Sequence, residues 1–336
     1  MADLVLSFSI APYDRVMPLI TGEVKPVGIT LQYQPVAGPD LFYRQLKFNQ
    51  FDLSEMSHSF FLMGRSRGWG YRLLPVFHNR KFYYTRILIR RGSGIQVDHP
   101  ESLKGKRVGN ADYCQSAALW TRGILQHEFG VKPEDMEWYQ DRPERFSVAS
   151  SMGFKPPANV KFHYTTTDLG TMFLRGELDA AITYQTGAIM DRPKADISKD
   201  RRFTTMFRDA KREASRFFKK TGVFPPQHVT VIRESILKEH PWVANNLMEA
   251  FEKAKKLAYQ RLYDDPPTCL VFGVEDIRQQ RETFGDDPFK YGIKANRTAI
   301  DMAQTFSAEQ GLTPRKQPWS EVFPEELLLA EESLPD

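Results

Sequence analysis

The chain has 336 residues, of which 41% are hydrophobic, and a formal net charge of +4. This length suits two compact lobes, each with its own core, rather than one small module. Basic and acidic residues are interleaved and form no basic stripe, so the composition argues against a nucleic-acid-binding protein. No apolar run approaches the roughly 18 residues that a membrane span needs.

The start of the chain lacks the basic and apolar segments of a signal peptide, and we therefore expect a cytoplasmic protein with no membrane partner. The two cysteines, Cys114 and Cys269, show no metal or redox spacing. A disulfide framework is not expected.

The first ninety residues alternate between strand and helix patterns. Strands are predicted at 4–10, 27–33 and 51–53, with helices between them, which is typical of a parallel sheet. Tyr13 and Arg15 follow the first strand in a loop that places an aromatic ring and a guanidinium at a strand end. A purely structural role is equally open there, with Asp14 capping the next helix. The segment 81–90 alternates as one long strand, where we expect the chain to cross between lobes.

The segment from Phe51 to Ser59 concentrates proton-handling side chains, among them Glu55 and His58. It reads as a short buried strand that ends in serines and leads into a helix. Ligands of open α/β sheets bind at the carboxyl ends of strands and at helix N-termini. The segment from Phe173 to Tyr184 repeats the same order of helix, acidic turn, apolar strand and hydroxyl side chains. Two such units predict two similar lobes that face one cleft.

Three later segments also resemble binding sites. Asn110 to Ser116 leads into a helix predicted at 117–129, whose first N–H groups could hold a carboxylate, although simple capping is the alternative. His228 stands at the mouth of an apolar strand, where a lone histidine is more often structural. The loop 284–292 either wraps a lobe or lines the cleft.

Two charged segments are expected mainly at the surface. They are 140–157, which contains Arg142, and 194–220, which uses a few aromatic residues as anchors. Neither charge pattern indicates a function by itself.

Several short motifs occur in a characteristic order along nearly the whole chain. They are Asp52–Ser57, Lys219–Pro225 with His228, His240–Ala244, Phe284–Phe289 with Tyr291 and Gly292, Ala295–Arg297 and Glu309–Pro314. In this order they resemble the 4,5-dihydroxyphthalate decarboxylases, which share the type II periplasmic-binding-protein fold. The resemblance implies an α/β protein of two lobes with a ligand cleft between them. It implies a discontinuous first lobe (1–88 plus 222–336) and an inserted second lobe (89–221).

The activity that the resemblance implies is decarboxylation of a hydroxylated aromatic dicarboxylate during aromatic-compound degradation. The expected reaction converts 4,5-dihydroxyphthalate to 3,4-dihydroxybenzoate (protocatechuate) and CO2. Such chemistry needs a base near the ring hydroxyls, an acid near the carbon that loses CO2, and cations for the carboxylates. A deprotonated hydroxyl para to the leaving group can push electrons onto that carbon, and no organic cofactor is needed.

We predict that His228 and Glu55 are the acid and the base, in an order that the sequence leaves open, with His58 as the next candidate. Arginine side chains present paired N–H donors that suit carboxylates, and hydroxyl, amide and aromatic side chains complete the predicted binding site. The predicted substrate-binding residues are Tyr13, Arg15, Ser54, Ser57, Arg80, Asn110, Tyr113, Ser116, Arg122, Tyr184, Phe224 and Asp287. We expect His228→Ala to abolish turnover without unfolding the protein.

Two alternatives stay open. A divalent metal could use ligand types found at His58, His78, His228, Glu55 and Asp287, although no two of them have a recognised spacing. The chain could also be a non-catalytic solute-binding protein for an aromatic carboxylate, because a cleft of this fold is chiefly a binding device. In either case the partner is a small aromatic carboxylate, and assembly into a homo-oligomer is left open.

Overall fold

The computed structural model of the chain describes residues 3–36, 38–182, 192–264, 266 and 268–332. The strands are β1 (Leu4–Ser9), β2 (Ile29–Tyr33), β3 (Leu53–Ser57), β4 (Tyr71–Phe77), β5 (Leu88–Arg90), β6 (Arg107–Asn110), β7 (Glu137–Gln140), β8 (Lys161–Tyr164), β9 (Ala180–Ala181), β10 (Phe203–Thr205) and β11 (His228–Arg233).

Helices surround these strands. They are α1 (Met17–Ile20), α2 (Gly38–Phe48), α3 (His58–Arg65), α4 (Ser116–Phe129), α5 (Val148–Ser151), α6 (Leu169–Leu174), α7 (Ala210–Thr221), α8 (Glu234–Glu239), α9 (Val243–Asp264), α10 (Gly273–Phe284), α11 (Arg297–Glu309), α12 (Trp319–Val322) and α13 (Glu325–Glu332). No helix in the described ranges combines the length and the apolar character needed to cross a membrane.

The strands form two sheets, with the orders β2-β1-β3-β11-β4 and β10-β5-β9-β6-β7-β8. In the first sheet β1, β2 and β3 are parallel, and β11 runs antiparallel to both β3 and β4. In the second sheet β6, β7, β8 and β9 are parallel. These two mixed sheets confirm the predicted α/β fold of two lobes. The first sheet receives its strand β11 from a late part of the chain. The exact lobe boundaries stay a prediction.

An acidic residue in each sheet joins neighbouring strands. Asp52, just before β3, accepts hydrogen bonds from the backbone N and the hydroxyl of Ser7 and pairs with Arg233. Asp179, just before β9, pairs with Arg90 and Arg107. The acidic turn residue of the two similar segments therefore fixes strand neighbours in both sheets.

The prediction of one strand over 81–90 is wrong for most of that segment. A 3-10 turn occupies Tyr83–Arg86, and β5 begins only at Leu88. Tyr84 is buried, its ring lies 5.7 Å from that of Phe217, and its hydroxyl donates to the Glu213 carboxylate at 2.9 Å. Packing of Tyr84 against α7 outweighs the local β propensity of this aromatic segment.

The segment 194–220 has the predicted exposed charges and buried apolar anchors, with Lys194 as the exception. Phe203, Met206, Phe207 and Phe217 are buried. The ammonium of Lys194 lies 3.2 Å from the Asp141 carboxylate, and both side chains are fully buried. A buried charge is retained only when it is paired, and this partner lies in a loop far away in the sequence.

Helix α4 packs closely on α11. A Cβ at Gly123 would clash with the Phe306 ring, so glycine permits this approach. The indole N–H of Trp120 donates to the Pro226 carbonyl at 2.9 Å, in the loop that leads into β11. These contacts hold α4 against α11 and against the loop that leads into β11.

Candidate functional site

A cavity of about 260 Å³ lies where β3 ends, β11 begins and α4 starts. Its described lining consists of Gly38, Pro39, Phe42, Ser57, Phe60, Asn79, Lys81, Tyr83, Gln115, Ser116, Ala117, Arg142, Gln227 and His228. Both sheets thus contribute flanking residues to one cavity. We call it the dyad cavity, after the paired Glu55 and His228 described next.

The strand register brings Glu55 and His228 together. In the antiparallel pair, Glu55 lies opposite Thr230 and Ser57 lies opposite His228. Residues two apart on a strand share a face, so Glu55 and His228 are diagonal neighbours. Nδ1 of His228 lies 2.5 Å from Oε1 of Glu55. His228 lines the cavity and is half-buried, whereas Glu55 is fully buried behind it.

The Glu55 carboxylate accepts two more hydrogen bonds. The Tyr13 hydroxyl donates to Oε1 at 2.6 Å, and the Ala11 N–H donates to Oε2 at 2.9 Å. Burial alone would raise the pKa of Glu55, but the hydrogen bond and charge of His228, the charge of His78 and the Tyr13 hydrogen bond lower that pKa to about 2. Glu55 is therefore ionised at neutral pH and orients His228 through Nδ1.

Tyr13 stays a hydrogen-bond donor. Burial, followed by the charge of Glu55 and the hydrogen bond to it, raises the pKa of the Tyr13 hydroxyl above its usual value. The Tyr13 ring stacks on His78, with centroids 5.6 Å apart and planes 5° from parallel. Tyr13 thus holds Glu55 without lining the cavity itself.

A serine pair joins the two walls of the cavity. The hydroxyls of Ser57 and Ser116 lie 2.7 Å apart, and Ser116 Oγ also accepts from the backbone N of Ser59 at 2.9 Å. Ser116 is the first residue of the 14-residue helix α4, and its neighbours Gln115 and Ala117 line the same cavity. The first turn of α4 consequently faces the cavity, which favours an anion there.

Arg142 also lines this cavity, and the prediction that the charges of 140–157 are solvated is wrong for it. Arg142 is only 1% exposed, and its NH1 lies 3.3 Å from Oδ2 of Asp112. The residue follows the carboxyl end of β7 by two positions. That position was the available sequence signal, because ligands of parallel sheets bind beyond strand carboxyl ends.

Aromatic rings form the apolar part of the wall. Phe42 of α2 and Phe60 of α3 are buried and line the cavity. The Phe42 ring meets His228 edge-on, with centroids 4.9 Å apart. Lys81 at the rim is exposed, and Tyr83 is half-buried. The cavity therefore combines flat apolar walls with cationic and hydroxyl groups.

Two other histidines lie outside the lining of this cavity. His58 begins α3 and is fully buried, and burial lowers its pKa to about 4. His78 is also fully buried, its Nε2 lies 2.5 Å from the Thr230 hydroxyl, and burial lowers its pKa to about 3. Both rings are therefore neutral at pH 7, and the structure does not bring His58 to the cavity surface.

Three of the predicted arginines bind other parts of the protein. Arg15 donates to the His78 carbonyl at 2.9 Å and lies 3.7 Å above the Phe289 ring. Arg80 donates to the Phe224 carbonyl at 2.8 Å. Arg122 is fully buried, with its Nε bonded to Gln310 and its guanidinium 3.7 Å above the Tyr113 ring. These contacts place all three outside the lining of the dyad cavity.

The remaining predicted residues divide as follows. Ser54, Asn110 and Tyr113 are buried without lining the dyad cavity. Phe224 and Asp287 line a neighbouring cavity instead, and Asp287 forms an ion pair with Lys255 at 2.7 Å. Tyr184 lies outside the described residues.

The proposed metal ligands do not assemble into one site. Glu55 and His228 contact each other, whereas Asp287 pairs with Lys255. Within the part of the chain that the structure describes, no group of three or more His, Cys, Asp or Glu side chains is placed to hold a metal ion.

Comparison with known proteins gives two relatives of the same name. A 4,5-dihydroxyphthalate decarboxylase of Comamonas testosteroni is 28% identical over 328 residues, which cover 96% of this chain and 97% of that protein. A protein of the same name from Pseudomonas putida is 32% identical over 185 residues, which cover 54% of this chain and 71% of that protein. No family model matches the sequence.

Solved structures agree on the fold. The periplasmic aliphatic sulphonate binding protein SsuA of Escherichia coli has a TM-score of 0.54 at 12% identity, covering 96% of this chain and 92% of that one. The alkanesulfonate-binding protein SsuA of Xanthomonas axonopodis pv. citri, bound to MOPS, has a TM-score of 0.53 at 11% identity, covering 96% and 98%. At such identities the likeness shows the periplasmic-binding-protein fold alone.

Proposed function

The chain belongs to the family of 4,5-dihydroxyphthalate decarboxylases, and from this premise we propose that it converts 4,5-dihydroxyphthalate to 3,4-dihydroxybenzoate and CO2. The names of the relatives support a decarboxylase. The observation that carries the proposal for this chain is the buried Glu55 carboxylate behind His228, at the wall of a cavity that also contains Arg142.

The cavity has the size and lining for one substituted aromatic ring. Its volume is about 260 Å³, and Phe42 and Phe60 offer flat apolar contacts. Arg142 and the first turn of α4 supply positive charge for two adjacent carboxylates, and a guanidinium can bind a carboxylate through two parallel hydrogen bonds. The Ser57 and Ser116 hydroxyls can hydrogen-bond with the ring hydroxyls or with a carboxylate.

His228 is the proton donor in this proposal. Its protonated ring transfers a proton to the ring carbon that bears the departing carboxylate, and the aromatic π electrons form the new C–H bond. The oxygen of the para hydroxyl, which keeps its proton, delocalises the resulting positive charge. The bond to the carboxylate then breaks, its electron pair restores the aromatic ring, and CO2 leaves. His228 regains a proton from solvent.

Glu55 supports this step without touching the ring. Its ionised carboxylate holds Nδ1 of His228, which leaves Nε2 for the substrate, and stabilises the protonated imidazole before transfer. Its burial keeps it away from the substrate. This assigns the proton transfer to His228 and the orienting role to Glu55.

The test is turnover in deuterated water. Purified protein is incubated with 4,5-dihydroxyphthalate while released CO2 and the ultraviolet spectrum of the ring are followed. The product should carry one deuterium at the ring position that lost the carboxylate, as read by proton NMR. A second run after chelator treatment, with and without added divalent metal, asks whether a metal takes part.

Three results would count against the proposal. Turnover that requires a metal would contradict a mechanism in which His228 protonates the ring without a metal ion. A ligand-induced rise in melting temperature without any product would favour a solute-binding protein. No response to 4,5-dihydroxyphthalate would exclude it as the substrate.

A further inference from the structure

A second cavity, of about 350 Å³, lies beside the dyad cavity and has no part in the proposed reaction. It is bounded by the segment after β4, by α7 and by α10. The residues that define it chemically are Arg80, Lys81, Phe82, Arg86, Phe224 and Phe284. We call it the aromatic cavity.

Three nearly parallel rings form one side of the aromatic cavity. The centroids of Phe82 and Phe224 are 4.9 Å apart with planes 16° from parallel. Phe284 lies 6.0 Å from Phe82 and 5.6 Å from Phe224, with planes 29° and 28° from parallel. All three side chains are half-buried, so they present ring surface to the cavity. A planar aromatic ligand would extend this stack.

The charged groups around these rings are mainly cationic. Among the described residues no carboxylate pairs with Lys81 or Arg86, whereas Lys211 pairs with Asp276 at 2.7 Å. Arg80 is 6% exposed, and its Nε–H is buried without an acceptor, while its other nitrogens bind the carbonyls of Phe224 and Lys290 and the side-chain oxygen of Asn296. Unpaired cations beside flat rings suit an anion that carries an aromatic ring.

One layer of backbone separates this cavity from the dyad cavity. Lys81 N donates to the Pro225 carbonyl at 3.2 Å, Gln227 Nε2 donates to the Lys81 carbonyl at 2.9 Å, and Gln227 N donates to the Asn79 carbonyl at 2.7 Å. Asn79, Gln227 and His228 line the dyad cavity, while Phe82 and Phe224, on the same two chain segments, line the aromatic one. Lys81 lines both cavities.

We propose that the aromatic cavity is a second binding site for an aromatic carboxylate, separate from the site of decarboxylation. The ligand stacks on Phe82, Phe224 and Phe284 and places its carboxylate near Arg86 and Lys81. Because the wall is shared, a ligand in this cavity contacts the same backbone segments that carry His228 and Lys81.

The test counts binding sites with phthalate, which lacks the ring hydroxyls and cannot be decarboxylated by the proposed route. Equilibrium dialysis with labelled phthalate on the full chain should give two molecules per chain. Ala214 of α7 lines the aromatic cavity, and Ala117 of α4 lines the dyad cavity. We expect Ala214→Phe and Ala117→Phe each to leave one site, and the double variant to leave none.

Two variants guard against misfolding and against non-specific effects. Arg86 is exposed, so Arg86→Ala should keep the fold and weaken one of the two binding events several-fold. Thr305→Phe fills a different cavity, lined by His127 and Arg297, and should keep both sites. Cyclohexane-1,2-dicarboxylate has the same charges without a flat ring and should bind the aromatic cavity several-fold more weakly.

Each outcome decides between the two sites. A single molecule per chain that Ala117→Phe removes and Ala214→Phe leaves would overturn the second site. A single molecule that Ala214→Phe removes would support the second site and count against the dyad cavity as the substrate site. No binding at millimolar phthalate would overturn the inference, whatever the result with 4,5-dihydroxyphthalate.

Discussion

The dyad cavity and the polar layer behind it, which consists of Tyr13, Glu55 and His78, lie along the same strands but differ in burial. On the cavity side, His228 is half-buried beside Ser57, Ser116 and Arg142. Behind it, Glu55 and His78 are fully buried, and Tyr13 is held between them.

In the proposed mechanism, the difference between these regions separates proton transfer from orientation. Among the fully buried groups, burial and neighbouring groups fix the charge of each side chain, so Glu55 stays ionised while His58 and His78 stay neutral at pH 7. A group that must exchange protons with a ligand needs access to it. Among these histidines the cavity lining includes His228.

The largest expected effect is on the cavity side. His228→Gln should lower kcat by roughly 10²- to 10⁴-fold, because the proposed proton donor is lost while Glu55 can still be hydrogen-bonded. Steady-state kinetics with 4,5-dihydroxyphthalate measure this. His163→Gln, at an exposed histidine, is the matched control and should stay near the wild-type rate. Wild-type turnover in His228→Gln would remove His228 from the mechanism.

At the fully buried His58 the expected effect is on the stability of the fold. Burial lowers the pKa of His58 from 6.5 to about 4. The unfolded chain therefore binds a proton more readily, and stability from the neutral ring is complete above pH 6.5 and is lost as pH falls toward 4. The shift corresponds to about 3 kcal/mol.

Urea unfolding between pH 7 and pH 4 tests this effect. His58→Gln should lose less stability over this range than the wild type, because it has no proton to gain at that position. His99→Gln, at an exposed histidine, should follow the wild-type curve. Parallel curves for wild type and His58→Gln would show that His58 does not set the acid sensitivity.

A smaller effect on binding is expected at Arg142. Arg142→Lys keeps the charge beside Asp112 but loses the paired donors, so KM should rise by roughly 10- to 100-fold with a smaller change in kcat. Arg145→Lys, at an exposed neighbour, should leave KM unchanged. A loss confined to kcat, with KM constant, would argue against carboxylate binding by Arg142.

The smallest effect should come from Tyr13. Tyr13→Phe removes one of three hydrogen bonds to Glu55 and leaves those of His228 and Ala11. We expect kcat to fall by no more than roughly tenfold, about 1.4 kcal/mol in barrier height, since Glu55 keeps its charge. Tyr33→Phe, at another hydroxyl of the same lobe, is the control. A loss as large as that of His228→Gln would give Tyr13 a direct part in proton transfer.

The sequence alone determined the α/β class, most strand positions and the family, because these features depend on periodicity and motifs within short segments of the chain. It also singled out Glu55 and His228, each next to a predicted strand. The same local patterns also favoured His58 and several arginines. The distance of such a side chain from a cavity depends on residues far away in the sequence, so a local pattern does not predict it.

Only the tertiary structure decided which of these side chains meet. Glu55 and His228 are 173 residues apart in sequence, and the antiparallel register of β3 and β11 makes them diagonal neighbours. Packing placed Arg142 in a cavity and His58 in the core, because burial depends on elements that join from distant parts of the chain. A side chain's charge and access to ligand follow from that burial, and so the roles that we propose for these residues rest on the folded protein.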